Sequence, residues 1–230
     1  MTVPRIFRIA AVVTGLLGAA ACSSRPPAPD WALKAQSASE RAVKAYLQGD
    51  TRVAEAEWRK AFAQVSATGQ PSQMARLALL QCAAQVAALE FTDCPHYQRY
   101  AAGAQPVEQA YARYLQVQHT AQDVALLPKA QQDMARQVLA GQAGQSAPAA
   151  EAALSQLTAA GVAVRAGHLE LAGVQQAVQL ASAQGWRRSV MAWLLLEQRL
   201  HQAAGNAAGV QAAELRLQVL QNAEVASNKK

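Results

Sequence analysis

The sequence predicts an all-α protein, and three observations carry that prediction. Beyond residue 21 the chain is built from Ala, Leu, Gln, Glu and Arg, all good helix formers, and both isoleucines, Ile6 and Ile9, lie before that point. Apolar residues recur at helical spacing, as in Val210, Ala213, Leu217 and Leu220, which form one stripe. No segment alternates with period two for long enough to suggest a sheet.

The elements follow in order. Trp31 to Leu47 reads as a first helix, stopped by Gly49. Asp50-Thr51 offers a cap for a second, Arg52 to Gln64, on which Val53, Ala56, Lys60 and Ala61 alternate with charged positions. Pro71 and Ser72 open a third helix. There Met74, Leu77, Leu79, Leu80, Val86 and Leu89 cover most of the circumference, which predicts a central helix. Pro106 starts another, with Val107, Tyr111, Tyr114 and Leu115. Two more are expected at Lys129 to Leu139, after Pro128, and Ala149 to Leu157, after Pro148.

Between these two the stretch GQAGQSAP reads as a connecting segment. It suggests an N-terminal helical subdomain, 31–141, and a C-terminal one, 148–221, followed by a polar tail, 222–230. The C-terminal part holds three helices, Leu169 to Ala183, Arg188 to Ala204 and Ala207 to Leu220, separated by Gly185 and by Gly205-Asn206. The apolar run Val190 to Leu196 is too short to span a bilayer and reads as buried core.

Helix pairs joined by short Gly-Asp or Gly-Asn turns suggest an array of antiparallel pairs. The segment AYLQGDTRVAEAEWRKAF, Ala45 to Phe62, resembles a tetratricopeptide repeat. Gly49-Asp50 matches its turn, and Ala54, Trp58 and Ala61 match the small, aromatic and small positions of its second helix. Tyr46 stands one place from the usual aromatic. Gly205-Asn206 imitates the turn again, with Val210, Glu214 and Leu217 at the three helix positions, and Glu214 departs from the pattern. The resemblance implies a tetratricopeptide-like superhelical array. An irregular helical bundle that uses similar turns is the alternative.

The first residues concern location. Arg5 and Arg8 make a basic start, Ile9 to Leu17 is mostly apolar, and Gly18 to Ala21 are small, which is the layout of a secretory signal. This stretch resembles a bacterial lipoprotein signal, with Ala20 and Ala21 at the two small positions and Cys22 at the lipidated cysteine. Ala19 stands where Leu is usual. The resemblance implies removal of 1–21, acylation of Cys22, anchoring in a bilayer, and a tether over 22–30. Ser23, in place of an Asp, implies the outer membrane, facing the periplasm. Cleavage after Ala-x-Ala that leaves Cys22 bare is the competing reading.

Charge and motifs narrow the chemistry. The formal net charge is +6, and loss of Arg5 and Arg8 with the signal lowers it by two. The remaining basic residues are scattered, which fits a solvated surface and not nucleic-acid binding. Of the three cysteines, lipidation of Cys22 leaves Cys82 and Cys94 as a pair. A disulfide between them requires the third helix to end near Glu90 and the chain to double back through Phe91-Thr92-Asp93; two buried thiols are the alternative. His96, His119, His168 and His201 are far apart, without metal-ligand spacing, and no metal or cofactor is expected. No nucleophile elbow, P-loop or dinucleotide fingerprint is present, so no catalytic residues are assigned.

One stretch is richer. HYQRYAAGAQPVEQAYARYLQ carries four of the five tyrosines, with Tyr97 and Tyr100, then Tyr111 and Tyr114, each three apart and interleaved with Arg99 and Arg113. Tyr and Arg are favoured in binding hot spots, so these six are candidate partner-binding residues. The alternative is that each pair packs its helix onto a neighbour. The lipoprotein and repeat resemblances together imply a non-catalytic scaffold or assembly factor for an envelope protein complex. A periplasmic small-ligand or peptidoglycan-binding lipoprotein is the rival, and an envelope hydrolase the third reading.

Overall fold

Glycine turns and helix-opening prolines divide the chain. A computed structural model describes residues 27–142 and 152–227, with side chains as far as residue 222. Cys22, the segment 1–21, most of the tether, the start of the helix expected at Ala149 and the end of the polar tail lie outside these residues. The described residues form ten α-helices, two short 3-10 turns and no strand, so the protein is all-α.

The first helices are α1, Asp30–Gln48, and α2, Thr51–Ser66. Gly49 between them adopts φ +93°, a left-handed conformation that glycine reaches without a Cβ clash. The Asp50 side chain then accepts a 3.2 Å hydrogen bond from the Val53 N–H and caps α2. Helix α3, Pro71–Ala87, the single turn α4, Pro95–Gln98, and α5, Pro106–Leu115, each begin on a proline, which has no N–H to leave unpaired. Helices α6, Lys129–Leu139, and α7, Ala153–Arg165, follow. Helices α8, Leu171–Ala183, α9, Arg187–Ala203, and α10, Ala207–Ser227, end the chain as successive antiparallel neighbours.

Two cores lie on opposite sides of α3. Leu77, Ala84 and Ala87 face one, built mainly with α1, α2, α8 and α9. Ala75, Leu79, Cys82, Ala83 and Val86 face the other, with α5 and α6. The apolar circumference of α3 thus places it centrally. Helix α7 is shared in the same way, giving Leu157 and Ala160 to the first core and Ala159, Val162 and Ala163 to the second. Residues from 31–141 and from 148–221 therefore pack together in both cores.

Helix α7 lies directly on α3. A Cβ on Gly161 would stand 2.3 Å from the Val86 carbonyl oxygen, so only glycine admits this approach. The Thr158 hydroxyl donates to the Ala83 carbonyl at 3.2 Å beside it, and the Trp193 indole N–H donates to the Ala87 carbonyl at 3.0 Å. These bonds supply buried donors with partners and join α7 and α9 to the C-terminal half of α3. Several boundaries differ from the sequence expectation, those of α1, α2 and α9 by one or two residues. Helix α7 runs on from Leu157 to Arg165, so that Gly161 stands within it. Helix α10 runs to Ser227, into the stretch expected as a tail, and α8 begins at Leu171 instead of Leu169.

Gly161→Ala tests this contact. The methyl gains up to about 1 kcal/mol of helix propensity, but overlap with the Val86 backbone outweighs it. The variant should lose about 1–3 kcal/mol in urea denaturation. A gain in stability would mean that α7 is not pressed onto α3.

Candidate binding groove

The turn after α3 sets the geometry of the second core. Leu89 takes φ 57° and lets the Glu90 N–H reach back to the Gln85 carbonyl at 2.9 Å, which ends the helix. The chain doubles back, and Cys94 is joined to Cys82 in a disulfide with Cα atoms 5.5 Å apart. Pro95 then opens α4. The bond ties the end of this excursion to the middle of α3.

Between α1, α3 and α5 lies a groove of about 770 Å³. Trp31 and Ala35 line it from α1, Leu77 and Leu80 from α3, and Val107 and Tyr111 from α5. Leu126, Leu127 and Pro128 close the far side, and Gln36, Ser39 and Gln73 supply neutral polar positions. The α5 wall is fixed by Glu108, which is buried. Its carboxylate accepts from the Gln105 N–H at 2.8 Å, from Arg76 Nη2 at 2.8 Å and from the Ser72 hydroxyl at 3.1 Å. Burial works against ionisation of Glu108, but the bonds from Arg76, Gln105 and Ser72 outweigh it and hold the carboxyl below its ordinary value. Both charges at the groove wall are therefore matched, and the rest of the lining is mostly apolar.

The six tyrosine and arginine candidates do not share one face. Tyr114 is fully buried; its hydroxyl donates to Gln131 Oε1 at 2.8 Å, and Gln131 Nε2 donates to the Ser155 carbonyl at 3.0 Å. It is a bridge from α5 through α6 to α7. Tyr97 is buried in the same core. Arg113 donates to both carboxylate oxygens of Asp123, one of them through Nε at 3.0 Å. Tyr100 is half-buried and Arg99 exposed, away from the groove lining. Tyr111 lines the groove and stacks on Tyr114 with ring centres 6.1 Å apart. The three-residue spacing serves packing in α5, where neighbouring turns bring the rings together. Burial pushes the Tyr111 and Tyr114 hydroxyls well above their ordinary pKa.

Sequence reasoning missed the groove itself. Its lining comes from segments as distant as Trp31 and Leu126, and no local motif joins them. The one signal was α3, whose apolar circumference includes Leu80, left half-buried at the groove.

Other chemistry is sparse. Among the described residues no three His, Cys, Asp or Glu side chains stand close enough to hold a metal ion. His119 is buried, with Nε2 3.0 Å from the Ala135 carbonyl, and His201 lies 3.8 Å from Glu197. No described helix is long and apolar enough to cross a membrane. No protein-family model matches the chain, and no curated protein or solved structure is similar to it.

Asp123 gives a pH test of the α5 region. The Arg113 hydrogen bond leads the causes that hold its carboxyl far below the ordinary value, against a smaller cost of burial. A depressed folded-state pKa adds stability that is present above the unfolded value of about 4 and is lost as pH falls toward the folded value. Asp123→Asn should therefore flatten the decline in melting temperature below about pH 4 while lowering it at neutral pH. An unchanged acid limb would show that this pair does not contribute.

Proposed function

We propose that the chain is a lipid-anchored, non-catalytic binding protein of the bacterial outer membrane, which holds an apolar segment of another envelope protein in the α1–α3–α5 groove. The groove is the observation that carries this reading. Its walls are apolar, its Arg76–Glu108 pair is matched, and an amphipathic helix or extended segment with an apolar face is the complementary chemistry.

The lipoprotein reading of Cys22 supports the same function. Residues 23–29 reach roughly 22 Å when extended, and Trp31, the second residue of α1, already lines the groove. The groove would thus sit close to the anchoring bilayer, where a partner's membrane-proximal segment is found. The α1–α2 hairpin, with Ala54, Trp58 and Ala61 buried along one face, supports a tetratricopeptide-like scaffold.

A small apolar ligand is the second reading, favoured by the volume of about 770 Å³, which lies within the usual range of ligand pockets. Peptidoglycan fits less well, because glycans call for an extended hydrogen-bonding surface and these walls are mostly aliphatic and aromatic, with Gln36, Ser39 and Gln73 as the neutral polar positions.

Photo-crosslinking in intact cells separates the readings. A photoreactive side chain at Val107 or Leu126, both exposed at the groove, should yield a discrete adduct with one envelope protein. The same group at Leu195, exposed on α9, should not. Val107→Glu should weaken partner capture by about tenfold, equivalent to ~1.4 kcal/mol. Equal labelling from Leu195 would count against the groove. Adducts of lipid or other small-molecule mass alone would replace the protein partner by an apolar ligand.

A further inference from the structure

Helix α10 has more apolar surface than its place in the fold uses. The stripe Val210, Ala213, Leu217 and Leu220 faces the rest of the protein. Ala213 and Leu217 are buried and Leu220 packs on the first core. A second stripe runs along the opposite side. Ala208, Ala212, Leu215 and Val219 recur at spacings of four, three and four, the rhythm of a coiled-coil seam. All four are exposed, with Leu215 at 63% and Val219 at 64%. A helix apolar on two faces is expected inside a structure, yet among the described residues nothing covers the outer face of α10.

The seam has a built-in order, small residues first and large residues last. If two copies of α10 pair antiparallel about a two-fold axis between Ala213 and Glu214, Ala208 faces Val219 and Ala212 faces Leu215. Every layer then sets one small side chain against one large one, so the layers interdigitate without a void. Parallel pairing would instead stack Ala on Ala and Leu on Leu.

The flanking positions fit the same register. Gln211 comes opposite Gln218 of the second copy, where two amides can exchange hydrogen bonds. Arg216 comes opposite Gly209, so no like charges meet. Arg216 is drawn toward α8 by its 3.3 Å bond to the Ser182 hydroxyl. Glu214 is turned to the other side, where it accepts from Gln198 at 3.0 Å. Glu214 and Arg216 are thus both bonded to neighbouring helices and held clear of the seam.

From this complementarity we infer that the chain forms a homodimer through antiparallel pairing of the outer face of α10 with a second copy of itself. A two-fold contact of this kind is closed, so it covers the exposed face at the end of the helical array without building a fibre. The seam is short, and association is correspondingly reversible. The inference does not depend on what occupies the groove.

Disulfide trapping of the full chain in cells reads the register directly. Two differently tagged copies are co-expressed, one with Ala212→Cys and the other with Leu215→Cys, and wild-type copies set the background from native thiols. After mild oxidation the mixed pair should give a linked dimer, as should Ala208→Cys with Val219→Cys. Ala208→Cys should not link to itself, because antiparallel pairing separates those positions by about 16 Å along the helix. Leu215→Lys, a change on an exposed side chain, should remove linkage of the Ala208→Cys and Val219→Cys pair without loss of helicity. Failure of both mixed pairs to link would overturn the inference. So would self-linked Ala208→Cys, which marks a parallel seam, or linkage of α10 to a different protein.

Discussion

The close contact between α7 and α3 at Gly161 organises this fold. With no Cβ in the way, the backbone of α7 comes within van der Waals range of the Val86 carbonyl. Two short-side-chain helices can then lie together and present Leu157 and Leu77 on one side, Val162 and Leu79 on the other. The protein has few aromatic residues and much alanine, so its cores rely on the close approach of helices as well as on leucine bulk. Small residues let backbones approach, and the dispersion gained over many close contacts replaces that of larger side chains.

That contact also positions the groove. Helix α3 is fixed from behind by α7, from its C-terminal end by the Trp193 indole, and from the side by the Cys82–Cys94 bond. The side of it that carries Leu77 and Leu80, at the edge of the first core, forms the groove floor. Helix α5 is set against it by Glu108, whose buried carboxylate gathers Arg76 and Ser72 from α3 and the amide that starts α5. Helix α1 closes the third side and is itself tied to α9 by the Arg188 guanidinium, which sits 4.3 Å from the Tyr46 ring centre. A preformed groove of this kind spares an incoming segment the cost of ordering its receptor.

Most of the helices were legible in the sequence, for reasons that are local. Gly49, Gly185 and Gly205 each take a positive φ at a helix end, and Pro71 and Pro106 each open a helix. The central place of α3 followed from its apolar circumference. The excursion from Glu90 to Cys94 followed from the reach of a disulfide. What was not legible depends on long-range packing. Gly161 in α7 carries no sequence mark of the Val86 carbonyl that requires it. Tyr97 and Tyr114 share a spacing with Tyr111, yet they are consumed by the core while Tyr111 reaches the groove, because their helices turn them inward. The outer stripe of α10 was present in the sequence but masked by the inner one, since alanine serves both.

The central claim is that α3 and α7 form one unit on which both cores and the groove depend. Native-state hydrogen exchange measures it directly, since amides in the most stable cooperative unit exchange only through global unfolding. The amides of Leu79 to Ala87 in α3 and Ala159 to Ala163 in α7 should be the slowest in the protein, with one shared opening free energy equal to that of complete unfolding. If α7 instead exchanged through a partial opening that left α3 protected, the two helices would not act as one unit and the account would be contradicted.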